Sequence, residues 1–519
     1  MSGYSTSSGA PTYVDALPTT RDTGRQNTGL MAGWGKRTTG RQALLLFAFL
    51  QALFILTSTG RLHVTDEAAA FFQARSLVEN GALVVPAATT GYEFYGQYDT
   101  QGRLRAPNGP AQAVALVPFY LLGRVMIRAP AVPPSDRDVV MAFAVTLSSS
   151  TFSALAATLW FVLFARRGFG ASLCLKAAVA CALGTPLFAY SGWLFSEPLA
   201  ICLLTGASLA AFGTDNPVGI KRAALTGFLL GACLLVRPTH ALVVPVFAAA
   251  IFVRDGKGGW LSSLALVATA ALGVGVYFGW NYHLYGNPLD FGYPEFADGK
   301  RLNGFETPMV WGLFGFVLSP GKSVFMFAPA ALVAILGLPR LFRRDRGLAV
   351  LAVGAPIVSL LLFSRYTQWE GGYCFGPRYL LPAIVLLLFG LLPWMETASQ
   401  AGRRVLLGLI MAGAMIQAIG LATSFLEDQF TSGYYEPGFN YRLGHAPLIT
   451  QSGLFCHYVV AASRGEPAAP LGKGFDRWFV FLIKAGVGSR PVFLAMSVTT
   501  GIGAASALSL ARSVRSPLS

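Results

Sequence analysis

The sequence predicts an all-α polytopic membrane protein, and three observations carry that prediction. The 519 residues are 54% hydrophobic and only 12% charged, whereas soluble domains carry about 25% charged residues. The mean hydropathy is +0.54. Apolar runs of roughly 17–25 residues, the length that crosses a bilayer, recur along the chain. In a soluble protein the formal charge of +15 would suggest nucleic acid; here the placement of the basic residues between apolar runs points to membrane topology instead. The six cysteines show no CxxC or other metal-ligand spacing.

Residues 1–40 read as a disordered cytoplasmic tail, because the segment is rich in Ser, Thr, Gly and Pro and lacks apolar periodicity. No apolar stretch follows a short basic start, so it does not read as a signal peptide. Candidate spans follow at about 42–59, 138–165, 173–190, 198–213, 222–236, 239–253, 260–280, 324–341, 347–363, 379–395, 404–425 and 491–511, about 12 in all. One more apolar run, 111–128, would reverse every later loop if it crossed the membrane. Read as a juxtamembrane or re-entrant helix, it leaves 20 Lys/Arg and 6 Asp/Glu inside against 19 and 18 outside, as the positive-inside rule expects. Both termini are then cytoplasmic in an inner or plasma membrane. Residues 41–425 form the transmembrane core with outer loops 60–137 and 281–323. An outer segment, 426–490, precedes the last span and C-terminus at 491–519. Within that segment the apolar stretch Phe475–Ala485 is expected to lie in the interface. The long loops are all outside, and so is the candidate chemistry.

The first outer loop opens with Thr65-Asp66-Glu67. Thr65 is suited to cap a helix whose first residues are acidic, which the helix dipole favours. An ordinary helix start would explain that much. Two further facts point to function. The helix that follows, 66–80, is amphipathic, with Phe71, Phe72, Leu77 and Val78 available to the interface. The acids also stand a few residues from a span end, where charge is costly unless it serves a purpose. Tyr92, Tyr95 and Tyr98 follow, as interfacial aromatics or as platforms for a sugar. Arg105 precedes a Pro/Gly turn and is a candidate phosphate ligand. Glu197 is a lone acid in a very apolar stretch between the third and fourth spans. Cys374 and Cys456 lie in two different outer loops, and the outside permits disulfides, so a Cys374–Cys456 bridge is expected.

Three stretches resemble GT-C glycosyltransferases, most closely glycosyltransferase family 39, the protein-mannosyltransferase and aminoarabinose-transferase branch. They are Thr65–Gly81 with Arg105-Ala106-Pro107-Asn108-Gly109-Pro110, then Trp280–Tyr293 with Ser319-Pro320-Gly321-Lys322, and Trp369–Pro382. Together they cover roughly 40–395. The resemblance implies a sugar donor on polyprenyl phosphate, transfer to a glycan, lipid or protein acceptor, and inversion at the anomeric carbon. It implies Asp66 as the catalytic carboxylate, assisted by Glu197, with Glu67 positioning the helix or a metal. The departing phosphate gains negative charge, so cations should sit where it develops; Arg105, Arg301, Lys322 and Arg378 are the candidates, Arg378 favoured at the outer end of a span. Sugar or acceptor contacts are expected from Tyr92, Tyr95, Tyr98, His283, Tyr293, Trp369 and Glu370. No cofactor is expected to be required, although Asp66, Glu67 and Glu197 with His63 or His283 could hold a divalent metal. A secondary transporter or lipid flippase is the competing function, since intramembrane acids also serve as coupling sites.

Overall fold

The computed structural model describes residues 24–89, 92–130, 132–293, 304–434, 436, 438–466 and 474–515, with no side chain before Thr39 or at 88, 92, 93, 514 and 515. Helix α1 (Gly24–Thr57) starts inside the stretch read as a disordered tail, which moves the tail boundary back. Leu46, Leu50 and Phe54, spaced four apart, are fully buried on one face of it.

Helix α2 (Thr65–Asn80) carries the acidic pair. Thr65 is its first helical residue and not its cap; the cap position is the extended Val64, which supplies no side-chain bond. Glu67 reaches back to the His63 backbone N–H instead, satisfying a donor that a capping box would have served. The helix closes on Gly81, whose φ of +64° suits the left-handed cap. Alanines 68, 69, 70 and 74 are buried with Phe71. The first turns of α2 are therefore enclosed by protein on all sides, where an interfacial apolar face was expected.

Two short antiparallel ladders, β1 (Ala88–Thr89) with β2 (Tyr92–Glu93) and β3 (Gln97–Tyr98) with β4 (Leu104–Arg105), interrupt the all-helical plan. Asp99 builds the second, accepting from the N–H groups of Gln101 and Arg103 at 2.9 Å each. Burial pushes its carboxyl up, but those amides and Arg105 hold its pKa at about 2. Helix α3 (Pro110–Met126) is the ambiguous 111–128 run, with Pro at its first turn. A Cβ on Gly109 would lie 2.1 Å from the Leu235 carbonyl oxygen, so glycine lets this loop press against the next bundle helix.

The bundle continues through α4 (Arg137–Arg166), α5 (Ala171–Leu183), α6 (Pro186–Tyr190), α7 (Glu197–Phe212), α8 (Ile220–Val236), α9 (Val243–Asp255) and α10 (Trp260–Tyr285). Beyond the second outer loop come α11 (Met309–Leu318), α12 (Val324–Phe327), α13 (Ala330–Arg344), α14 (Arg346–Arg365), α15 (Leu381–Leu387), α16 (Leu391–Thr397) and α17 (Gln400–Ala422). The last outer segment holds α18 (Phe425–Thr431), α19 (Pro447–Ser463) and α20 (Trp478–Lys484), and α21 (Ser489–Arg515) returns along α1.

Every expected span falls on helix, but among the described residues only seven helical stretches are long and apolar enough to cross a membrane. One of them, Pro238–Tyr285, runs through α9 and α10 and turns at Gly256, φ +61°. The others shorten for local reasons. The run 173–190 breaks into α5 and α6 at Gly184-Thr185-Pro186, where the Thr185 hydroxyl caps Leu187. Large apolar side chains such as Phe228, Leu272, Val405 and Met411 remain exposed on the bundle's flanks, the surface a bilayer covers.

The loops at one end of the bundle are basic and touch each other. Arg167 pairs with Asp215 and Asp345, and Arg344 with Glu396. The end with the first outer loop carries the buried Glu67, Asp99 and Glu197. The stretch 475–485 is packed into protein: Trp478 is 2% exposed and stacks on Phe143 at 5.1 Å.

Candidate functional site

Four charged side chains from four separate elements meet in alternating order. Asp66 comes from the first turn of α2, Glu197 opens α7, Arg237 follows the last residue of α8, and Arg378 begins the turn before α15. Arg378 donates through Nε to Glu197 and through Nη1 to Asp66, both at 2.9 Å. Arg237 reaches the same Glu197 oxygen at 3.2 Å. The middle of the chain is dry, with Arg378 4% and Glu197 3% exposed, whereas Asp66 at one end is 27% and Arg237 at the other 24% exposed. Phe195 backs the Arg378 guanidinium at 4.1 Å, and Tyr379 lies 5.3 Å from that of Arg237. The second Glu197 oxygen has no hydrogen-bond partner among the described residues.

This arrangement presents an accessible carboxylate and an accessible guanidinium, held in place by a buried ion pair. Tyr95 donates its hydroxyl to Asp66. Burial pushes the Asp66 carboxyl up, but Arg378, Tyr95 and Arg237 hold it below the usual carboxylate range. Tyr95 moves the other way, well above 10, through burial and the Asp66 charge, so it stays a donor. Tyr293 faces the same charges, with Arg237 and Asp66 both acting on it and a hydrogen bond to Tyr366. Tyr95 and Tyr293 are thus the two expected sugar-site residues that the fold brings to Asp66.

The remaining candidates lie elsewhere or are already occupied. Glu67 is 0% exposed and turns away from Asp66 into the protein, accepting from the Leu194 N–H at 2.9 Å and facing His63 Nδ1 at 3.1 Å. Although grouped with the catalytic acids, it does not join Asp66 in the site; it seats the start of α2. Arg105 is 3% exposed and already binds Asp99 at 2.7 Å and the Leu83 carbonyl at 2.6 Å. Lys322 is 1% exposed, with Nζ on the Cys374 carbonyl at 3.1 Å and Sγ at 3.3 Å. Neither cation is free to meet a phosphate as expected. Cys374 and Cys456 are both free thiols, one buried and one exposed, because Cys374 is held by Lys322 inside the fold; the expected bridge does not form. Trp369 is a packing residue, edge-on to Phe316 at 5.3 Å. Glu370 sits near Lys322, its carboxyl raised by burial. Tyr98 is 61% exposed, and His283 is exposed near Trp280. Arg301 and the Tyr92 side chain lie outside the described residues. Among the described residues no group of three or more His, Cys, Asp or Glu gathers in a way that could hold a metal ion.

Reading the sequence missed Arg237. Its signal is the one that flagged Glu197, a solitary charge between two apolar runs. It also missed a second buried network that seats α2. Asp476, from the last outer segment, accepts from Arg61 Nε and pairs with His63 Nε2, both at 2.7 Å, while the other face of His63 meets Glu67. Burial pushes the His63 pKa down, but Asp476 and Glu67 raise it overall above 6.5, and Asp476 is held well below the ordinary carboxylate range. The stability from a raised histidine is complete below its unfolded pKa and is lost as pH rises through its folded one. The melting temperature of the wild type in detergent is therefore expected to fall as pH rises above about 6.5, and His63→Gln to lack that dependence. Equal slopes in the two proteins would disprove this role.

Two small clefts lie near these elements, and none of the four charged side chains lines either. One, beside Arg237, is lined by Leu204, Thr239, His240, Val243, Tyr379 and Leu386 between α7, α9 and α15. The other lies between the first outer loop and the end of α10. No family model matches the sequence, and no curated protein does. Two solved structures are similar over most of the chain. Both are of ArnT from Cupriavidus metallidurans. The apo structure has a TM-score of 0.45 and 12% identity over 92% of this chain and 77% of that one. The one bound to undecaprenyl phosphate has a TM-score of 0.44 and 13% identity over 92% and 78%.

Proposed function

We propose that this protein is an integral membrane glycosyltransferase that moves a sugar from a polyprenyl-phosphate donor to an envelope acceptor on the extracytoplasmic face. The observation that carries the reading is the ionic chain with accessible ends, a carboxylate at Asp66 and a guanidinium at Arg237. An acceptor hydroxyl attacks the anomeric carbon and gives its proton to Asp66. The bond from that carbon to the phosphate oxygen breaks, and its electron pair leaves with the polyprenyl phosphate. Arg237 meets the charge that develops there. A single displacement of this kind inverts the anomeric centre. Arg378 touches both acids and fixes the distance between the two working ends. The gathering of the basic loops at the opposite end of the bundle supports the extracytoplasmic placement.

The test is transfer by purified protein from radiolabelled polyprenyl-phosphate pentoses and hexoses to candidate acceptors. No transfer from any donor would end the reading. Within it, Arg237→Ala is expected to raise the donor KM by about 10–100-fold, the worth of one or two charge-assisted hydrogen bonds of roughly 1.5–3 kcal/mol. An unchanged donor KM would remove Arg237 from the phosphate site.

A further inference from the structure

Lys322 is a buried lysine that the transfer chemistry does not use. Its Nζ donates to the Cys374 carbonyl at 3.1 Å and lies 3.3 Å from the Cys374 sulfur. A lysine is costly to bury away from water, and here it serves a backbone oxygen. The same carbonyl accepts from Gln429 Nε2 at 3.0 Å. The next carbonyl, that of Phe375, accepts from the Tyr190 hydroxyl at 2.9 Å. The three donors are buried and come from three places: the loop between α11 and α12, helix α18, and the end of α6. Residues 374 and 375 are irregular backbone, and among the described residues no backbone N–H reaches either oxygen. Side chains alone therefore satisfy these two buried acceptors.

Only Gly376 and Pro377 separate this clamped pair from Arg378. Gly376 holds a φ of +63°, and a Cβ there would come 2.8 Å from the Phe327 ring. Pro377 restricts its own φ. The connection is short and stiff, so a shift of the Cys374–Phe375 backbone carries into the Arg378 fork. That fork reaches Asp66 and Glu197 at 2.9 Å each and has no slack to absorb the shift.

We infer that Lys322, Gln429 and Tyr190 are positioning residues, which clamp the Cys374–Phe375 backbone and thereby set where Arg378 meets the two acids. The effect on turnover rests on the transferase reading, but the clamp itself is measurable without transfer. The experiment pairs hydrogen exchange, read by mass spectrometry on the full-length protein in detergent, with kcat per donor site. The sites are counted by binding of radiolabelled polyprenyl phosphate. Tyr190→Phe removes one oxygen, and Lys322→Met removes the amine while keeping an unbranched side chain. In both variants the peptide spanning residues 371–381 is expected to exchange at least about threefold faster, while peptides from α10 keep their wild-type rates. The kcat per site is expected to fall about tenfold in Lys322→Met and about threefold in Tyr190→Phe, within the loss of about 10²-fold that a 1 Å misplacement can cause. The donor KM should stay at its wild-type value, because Arg237 is not touched. A merely structural role would lower the number of donor sites and leave kcat per site alone. Unchanged exchange in both variants, or faster exchange with full kcat per site, overturns the inference. If Lys322→Met does not fold, Tyr190→Phe and Gln429→Met carry the same test. A wild type that transfers nothing ends the transferase reading and the effect on turnover, while exchange still decides whether the clamp holds the Arg378 turn.

Discussion

Asp66→Asn is expected to lower kcat for sugar transfer by about 10²–10⁴-fold, the usual worth of a positioned general base, with the donor KM little changed. The substitution keeps size and most hydrogen bonds, so the fold and the Arg378 contact largely survive. It removes the one group at the acceptor end that can take a proton. The pH profile gives a second check on the same residue. Because the Asp66 carboxyl is held below the usual range, wild-type activity should show no acid limb from this group near pH 4. Tyr95→Phe removes one of the bonds that depress it, while Arg378 and Arg237 remain, so the acid limb should move upward. An Asp66→Asn enzyme with wild-type kcat, or a Tyr95→Phe profile identical to the wild type, would assign the base elsewhere.

Asp66 and Glu197 stand out in the sequence because a charge in apolar surroundings is expensive; Arg378 stands out by its place at the outer end of a span, but it is buried between the two acids and not free to meet a phosphate as expected. What a one-dimensional reading cannot supply is the partner. Arg105 and Lys322 looked like free cations for a phosphate, but each is already bound, by Asp99 six positions earlier in a hairpin and by a backbone carbonyl fifty-two positions away. Asp66 and Glu67 looked equivalent because they are adjacent. Successive helical residues point about 100° apart, so one faces the site and the other faces His63 and Leu194. The distinction needed the rotation of the helix, which its packing on the neighbouring elements sets. The Cys374–Cys456 pairing failed for a related reason, since loop membership carries no distance.

The helices themselves were legible from apolar run length, and their interruptions were not. The break at Gly184-Thr185-Pro186 sits inside a run that hydropathy reads as continuous. The small ladders of the first outer loop depend on the Asp99 turn, a local hydrogen-bond pattern with no periodicity to detect. Arg237 carried the same solitary-charge signal as Glu197, and its meaning emerges only with the shared carboxylate oxygen.

Arg378→Gln is expected to cost about 3–5 kcal/mol of stability, as removal of one partner from a buried pair does. The two acids it leaves do not suffer equally. Glu197 keeps Arg237 at 3.2 Å, whereas Asp66 keeps the Tyr95 hydroxyl and only the more distant charge of Arg237. The Asp66 carboxyl should therefore rise toward protonation, and residual transfer should acquire an acid limb that the wild type lacks. Arg378→Lys separates charge from geometry. An ammonium restores the positive charge but not the planar fork that reaches one acid through Nε and the other through Nη1. It should recover part of the stability and little of the activity. The double variant Arg378→Gln with Glu197→Gln completes the cycle, since it removes the two dry charges together. Its cost should be smaller than the sum of the two single costs by about 1–3 kcal/mol, as expected for directly coupled partners, while transfer stays low because nothing holds Asp66 in register with Arg237. Additive stabilities across that cycle would mean the four charges act as separate pairs, and the two working ends would then need another explanation for their spacing.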